Sequence, residues 1–261
     1  MFRNEFYQIK SGKITKPVKL VMLADLHNHT YGEENERLLS EIEKHSPDFI
    51  CIAGDLLIGH SQESYEVAQN LTLALAKRYP IFYGLGNHES RMRRDRQIYK
   101  NRFEEYSEPL RKAGVRFLID EHQQLDINGN RMVIYGYDLP MKYFEKFNRY
   151  VFEQEQVEEA LGSCNKTSFS ILLAHNPVYF QQYAGWGADL TLSGHLHGGI
   201  IRLPILGGII TPQAKLFPRY CAGKYCLGDR QMIVSRGLGT HTIPIRFHNP
   251  PELSVISIEP E

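Results

Sequence analysis

Three times in its first ninety residues the chain runs through a short apolar stretch and stops at polar, metal-capable side chains. VKLVMLADLH spans Val18 to His27, FICIAGD spans Phe49 to Asp55, and IFYGLGNHE spans Ile81 to Glu89. Runs of this kind predict buried strands. Between them ERLLSEIEKH and SYEVAQNLTLALAKRY place apolar residues at helical spacing and stop before Pro47 and Pro80. Strand, helix, strand, helix, strand implies parallel βαβ units, and open sheets of that kind gather their polar tips at the carboxyl ends of the strands.

After residue 89 comes a charged helical stretch, SRMRRDRQIYKNRFEEYSEPLRKAG, and then short strands: VRFLID, HQQLDING, RMVIYGYD, SFSILLAHNP, ADLTLSGHLHGG, RQMIVSRGLGT and ELSVISIEP. Residues 141–160 read as a helix among them. No repeat, low-complexity tract or linker interrupts the 261 residues, and 42% of them are hydrophobic, enough for a substantial core. A single domain over 1–261 is expected, with a βαβ half and a strand-rich half.

Each chemistry-bearing residue falls just after an expected strand. Asp25 and His27 follow the first, Asp55 the second, and Asn87, His88 and Glu89 the third; His175 follows a later one, and SGHLHGG holds His195 and His197. Carboxylate, amide and imidazole ligands without thiolate suit Mn, Fe or Zn. A lone D-x-H or G-D says little; the five pieces in order, each at a strand end, say much more.

DLHNH admits two readings. His27 and His29 form an H-x-H pair like that of the polymerase-and-histidinol-phosphatase barrel class. That class also needs further Glu and His ligands and a late D-x-H; the late motif is missing here, and the class gives no reason for Gly54-Asp55 or for Gly86 to Glu89. The series D-x-H, G-D, G-N-H-E, H, G-H-x-H instead resembles the calcineurin-like metallophosphoesterase superfamily, from residue 20 to about residue 257. HNHTYGEENERLL and the tail SRGLGTHTIPIRFHNPPELSVISIE resemble its bacterial branch of small membrane-peripheral phosphodiesterases.

The resemblance implies an α/β fold, a four-layer α/β/β/α sandwich of two mixed β-sheets. It implies two divalent transition-metal ions: Asp25, His27 and His197 for the first, Asn87, His175 and His195 for the second, and Asp55 bridging them. A carboxylate shared by cations held roughly 3.5–4 Å apart fits two-metal hydrolysis, in which a bridging hydroxide attacks phosphorus. His88 matches the residue that faces the scissile phosphate, stabilising charge or protonating the leaving oxygen, and is the expected catalytic group. Glu89 is expected to serve as a helix-start carboxylate. His29 becomes a bystander of the metals and, with Asn28 and Arg202, an expected substrate contact. Ala24 stands where the family more often has Ser or Thr, a position that is not a ligand.

The expected reaction is hydrolysis of a phosphodiester or pyrophosphate, because no Arg or Lys adjoins Asp25, Asp55, Asn87 or His175 to neutralise a monoester's second charge. Lipid-linked and nucleotide-containing substrates both stay open. The alternatives are a non-catalytic interaction module of the same fold, against which the intact ligand set argues, and a nuclease. Lys+Arg and Asp+Glu are each 30, so no bulk attraction to nucleic acid follows, and the basic run from Arg91 to Arg96 reads as an exposed helix face. The apolar, Gly- and Pro-rich segment over 202–225 reads as a packed connection, with a flap over the site as the sharper alternative. Cys51, Cys164, Cys221 and Cys226 form no C-x-x-C pair and read as reduced thiols. No signal-like segment or membrane-length apolar run is visible, so a cytoplasmic place is expected, with peripheral membrane contact open.

Overall fold

The computed structural model describes residues 1–145, 149–199, 201–203, 207–210, 218–240 and 246–261, with 201–203 and 207–210 as backbone. The chain begins with β1 (Arg3–Lys10) and β2 (Val18–Leu23), followed by α1 (Glu36–His45), β3 (Phe49–Ile52), α2 (Glu66–Ala76) and β4 (Ile81–Gly84). Helices α3 (Asn87–Arg94), α4 (Arg96–Tyr99) and α5 (Arg102–Lys112) lead to β5 (Arg116–Leu118), β6 (Glu121–Ile127) and β7 (Asn130–Gly136). Then come α6 (Gln154–Leu161), β8 (Phe169–Leu173), α7 (Phe180–Trp186) and β9 (Leu190–Ser193). A hairpin, β10 (Ile201–Leu203) with β11 (Gly207–Ile210), precedes β12 (Gly223–Leu227), β13 (Arg230–Val234) and β14 (Glu252–Glu259).

Two mixed sheets result, ordered β1-β14-β2-β3-β4-β5 and β12-β13-β9-β8-β7-β6. In the first, β2, β3, β4 and β5 run parallel and β14 lies antiparallel to β2. In the second, β7, β8, β9 and β13 run parallel, and β6 and β12 are antiparallel edges.

Side-chain alternation along the strands explains why their apolar runs are unbroken. Leu20 and Met22 of β2 pack with Phe49, Phe82, Phe169, Ile171 and Leu192 in a core between the sheets. Their neighbours Val21 and Leu23 point the other way, onto Leu38 and Ile42 of α1, Leu71 and Leu75 of α2, and Phe103 and Tyr106 of α5. On the far side, Val133, Tyr135 and Leu172 pack against Val157 of α6 and Tyr183 and Trp186 of α7. Helices, sheet, sheet, helices is the expected four-layer sandwich.

Two local expectations change. The charged stretch after residue 89 is three helices, because Asp95 leaves helical geometry and its side chain accepts the Ile98 amide to start α4. The helix expected over 141–160 is confined to Gln154–Leu161, where Glu153 and Gln156 form a capping box; Met141–Phe144 is a single 3-10 turn after Pro140, and 146–148 lie outside the described residues. The polar N-terminal segment, for which the sequence alone predicts no element, forms β1 beside its parallel partner β14.

Candidate metal centre

The carboxyl ends of β2, β3 and β4 meet those of β8 and β9. The loops that follow are held in conformations a strand or helix does not supply. Asp25, His27, Asp55, His195 and His197 all have left-handed backbone, with φ of 50°, 46°, 54°, 73° and 52°. Such residues cost on the order of 1–3 kcal/mol each and persist where surrounding contacts over-determine them. Here the first two loops are zipped together: the amides of Asp25, His27 and Asn28 donate to the carbonyls of Gly54, Asp55 and Leu56 at 3.0, 3.2 and 3.0 Å. Gly86 must be glycine, since a β-carbon there would stand 2.1 Å from Asp55 Oδ1.

Three overlapping clusters of metal-capable atoms form in this space. They are Asp25, His27 and His197; His27, Asp55 and His88; and Asp55, His175 and His195. The Nε2 atoms of His27 and His197 face each other at 3.1 Å, and those of His197 and His27 lie 3.6 and 3.9 Å from Asp25 Oδ1. His175 Nε2 is 3.0 Å from Asp55 Oδ2 and 3.7 Å from Asp25 Oδ1. Its Nδ1 lies 2.6 Å from the Ala53 carbonyl, so Nδ1 carries the proton there and Nε2 faces the carboxylates. Asn87 sits between Gly86 and His88, both against Asp55, and its buried Oδ1 has no hydrogen-bond partner. Inward-facing imidazole nitrogens and an orphaned amide oxygen fit cations as ligands.

Packed together, these groups perturb one another. Burial pushes Asp25 up to about 7, with His175 opposing. Burial would also raise Asp55, but the imidazoles of His175, His88 and His27 hold it well below its ordinary value. Burial disfavours charge on His175, yet Asp55 and Asp25 lift it to about 10. Burial and then the Arg246 guanidinium push His197 down to about 3, and burial and His175 push His195 well down.

His88 is fixed differently. Its Nδ1 accepts the Gly59 amide at 2.7 Å, so the neutral ring carries its proton on Nε2, which lies 3.9 Å from Asp55 Oδ2. Glu89, expected only as a helix-start carboxylate, does more. It accepts the Gly86 amide at the start of α3, but also the amides of Asp55 and Leu56 at 2.8 and 2.9 Å and the Tyr83 hydroxyl at 2.9 Å. Fully buried, it staples the third polar tip to the second.

The expected substrate contacts are more scattered. Asn28 turns its amide nitrogen to the Ser64 carbonyl. His29 is exposed, packs edge-on against Tyr31, and lines a groove of about 810 Å³ with Phe2, Arg37 and Lys44. Arg202 lies in β10, its side chain outside the described residues, as is much of 202–225. In the basic run, Arg93 and Arg94 close on Asp138 at 2.6 and 2.7 Å and Arg96 pairs with Glu104, so that face is largely neutralised. The four cysteines are free thiols, three of them buried. No helix among the described residues is long and apolar enough to cross a membrane.

Two contributors were not singled out in sequence. Phe144 packs edge-on against the His195 ring at 5.1 Å. Arg246, 49 residues after His197, brings Nη2 to 3.4 Å from that ring's Nδ1. No local sequence pattern marks it, because its acceptors are backbone carbonyls.

Comparison with known proteins gives one family. The model for calcineurin-like phosphoesterases matches residues 18–199. A metallophosphoesterase of Aquifex aeolicus, itself uncharacterised, is 30% identical, over 98% of this chain and 92% of its own. YkuE of Bacillus subtilis, also an uncharacterised metallophosphoesterase, is 29% identical over 92% of this chain and 79% of its own. The phosphodiesterase YaeI of Escherichia coli is 24% identical over 93% and 82%. Among solved structures, the sulfate thiohydrolase SoxB of Thermus thermophilus matches with a TM-score of 0.52 at 11% identity, over 85% of this chain and 52% of that one, a likeness of fold.

Proposed function

The chain belongs to the calcineurin-like phosphoesterase family, a metal-dependent hydrolase of phosphoric esters, and on that premise we propose that it cleaves phosphodiester or pyrophosphate bonds at the centre described above. Asp25, His27 and His197 would hold one ion, Asn87, His175 and His195 the other, and Asp55 would serve both. The observation that carries this reading is the position of Asp55, which groups with His27 on one side and with His175 and His195 on the other. Two divalent ions bound there supply charge neutralisation on the phosphoryl group and water of lowered pKa.

The chain's own residues do the rest. His88, its tautomer set by Gly59, holds an Nε2 proton beside Asp55 and hands it to the leaving oxygen. Phe144 and the buried rings exclude bulk water on the His195 side. Specificity for a singly charged diester rests on the cations present. Among the described residues Arg246 is the guanidinium that reaches a ligand ring, and its Nη atoms are taken up by backbone carbonyls. The name of the phosphodiesterase relative supports the same bond class. The groove beside His29 is room for the organic part of a nucleotide- or lipid-linked ester. The reading takes residues 1–261 as one working unit, since β1 and β14, at opposite ends of the chain, pair in one sheet.

Elemental analysis of metal-replete protein, paired with assays on bis-p-nitrophenyl phosphate, tests the reading. Two ions per chain and metal-dependent turnover are expected; one ion or none would sink it.

A further inference from the structure

Arg246 lies beyond the last metal motif in sequence, yet its guanidinium gathers one loop around itself. Nη1 donates to the Arg236 carbonyl at 2.8 Å, and Nη2 to the Gly237 carbonyl at 3.3 Å and to the Gly239 carbonyl. The remaining carbonyl of that stretch, Leu238, accepts the Tyr31 hydroxyl. Four successive carbonyls, 236 to 239, are thus held by two side chains from elsewhere in the chain.

The amides of the same loop grip the first metal motif. Leu238 donates to the Ala24 carbonyl at 3.1 Å and Gly239 to the Asp25 carbonyl at 2.6 Å. The contact is tight: a β-carbon on Gly237 would stand 2.6 Å from Asp25 Cβ, and one on Gly239 would stand 1.9 Å from the Leu26 carbonyl oxygen. Asp25 cannot shift without this loop, nor the loop without Asp25. Arg246 also stands beside the other end of the set, at His197 Nδ1. The second set has anchors of its own, His175 on the Ala53 carbonyl and Asn87 at the start of α3, and touches the first where the His195 amide donates to both Asp25 carboxylate oxygens at 3.0 Å.

We propose that Arg246 is a positioning residue for the Asp25–His27–His197 set: it fixes the 236–239 loop, and through it the Asp25 backbone and the His197 ring. Only a planar fork of several N–H donors spans three carbonyls; a lysine ammonium is a single point. The inference rests on the two-metal reading. Loss of such outer partners typically weakens a metal on the order of 10–100-fold.

The test is metal binding. Full-length metal-free protein is titrated with Co²⁺, with occupancy followed by visible absorption and by elemental analysis after equilibrium dialysis. Arg246→Met should weaken one of two sites about 10–100-fold and leave the other within a factor of about two. Arg246→Lys should not restore it, whereas a merely structural loss would be partly rescued. In a His27→Ala background, where the first site is already damaged, adding Arg246→Met should leave the surviving site unchanged. Should Arg246→Met not fold, Arg246→Gln, which keeps two donors, should show the same one-sided loss in weaker form. Equal weakening of both sites, no weakening, or loss at the surviving site in the His27→Ala background would overturn the role of Arg246 alone. A wild-type protein holding fewer than two ions would overturn the two-metal reading and this inference with it.

Discussion

The two halves of the proposed metal centre are built on different principles. The His175–His195–Asn87 half rests on nearby, regular structure: β8, β9, the start of α3, the Ala53 carbonyl beneath His175 and the Phe144 ring beside His195. The Asp25–His27–His197 half rests on a loop at 236–239 and a side chain at 246, both far from β2 in sequence. Both halves begin at the ends of core strands and meet where the His195 amide donates to the Asp25 carboxylate, but one half needs little beyond those strand ends. The other is completed only when the tail returns as β14 and delivers Arg246. The difference teaches that one shared site can have partly separable supports, so damage can be directed more at one set of side chains than at the other.

The largest effect should come from the residue that belongs to both halves. Asp55→Ala should empty both sites and reduce turnover beyond the 10²–10⁴-fold that loss of a positioned acid typically costs, on the order of 10⁴ or more. Loss of one ion alone, by elemental analysis, would show that Asp55 belongs to one half. His88→Ala comes next. It should keep both ions and lose about 10²–10⁴ in kcat, with a smaller loss on esters of acidic phenols that need no proton. An ion lost from this variant would assign His88 as a ligand, as its grouping with His27 and Asp55 allows.

Glu89→Gln sharpens the contrast from the opposite side to Arg246. An amide nitrogen would face backbone amides that now bond to Glu89 oxygens, loosening Asp55 and the turn before Asn87. Metal affinity should fall about 10–100-fold, more at the second site than at the first. Competition titrations with a chelator would read this, and an effect confined to the first site would break the comparison. The smallest effect is substrate preference: bis-p-nitrophenyl phosphate should show higher kcat/KM than p-nitrophenyl phosphate in Mn²⁺, by a factor of about ten or less, or roughly 1.4 kcal/mol. A clear monoester preference under matched conditions would place a free cation at the centre.

The sequence by itself carried the chemistry and the strand framework. The apolar runs before Asp25, Asp55, Asn87 and His175 are buried strands because both of their faces are covered, and that leaves a direct trace in composition. The ligand types were readable because metal binding restricts them to a few side chains at strand ends. Tertiary structure decided the rest. Nothing near Arg246 announces a partner, because its acceptors are backbone carbonyls that any sequence supplies. Glu89 read as a helix-start acid because the amides it staples belong to Asp55 and Leu56, 34 and 33 residues away. Among the described residues, the helix expected over 141–160 begins only at Gln154, because the cap that starts it is formed by Glu153 and Gln156, midway through the expected span. Side-chain identity fixes what a residue can bind. Which backbone amides and carbonyls it meets depends on how distant loops close around it, and the order of residues along the chain does not encode that locally.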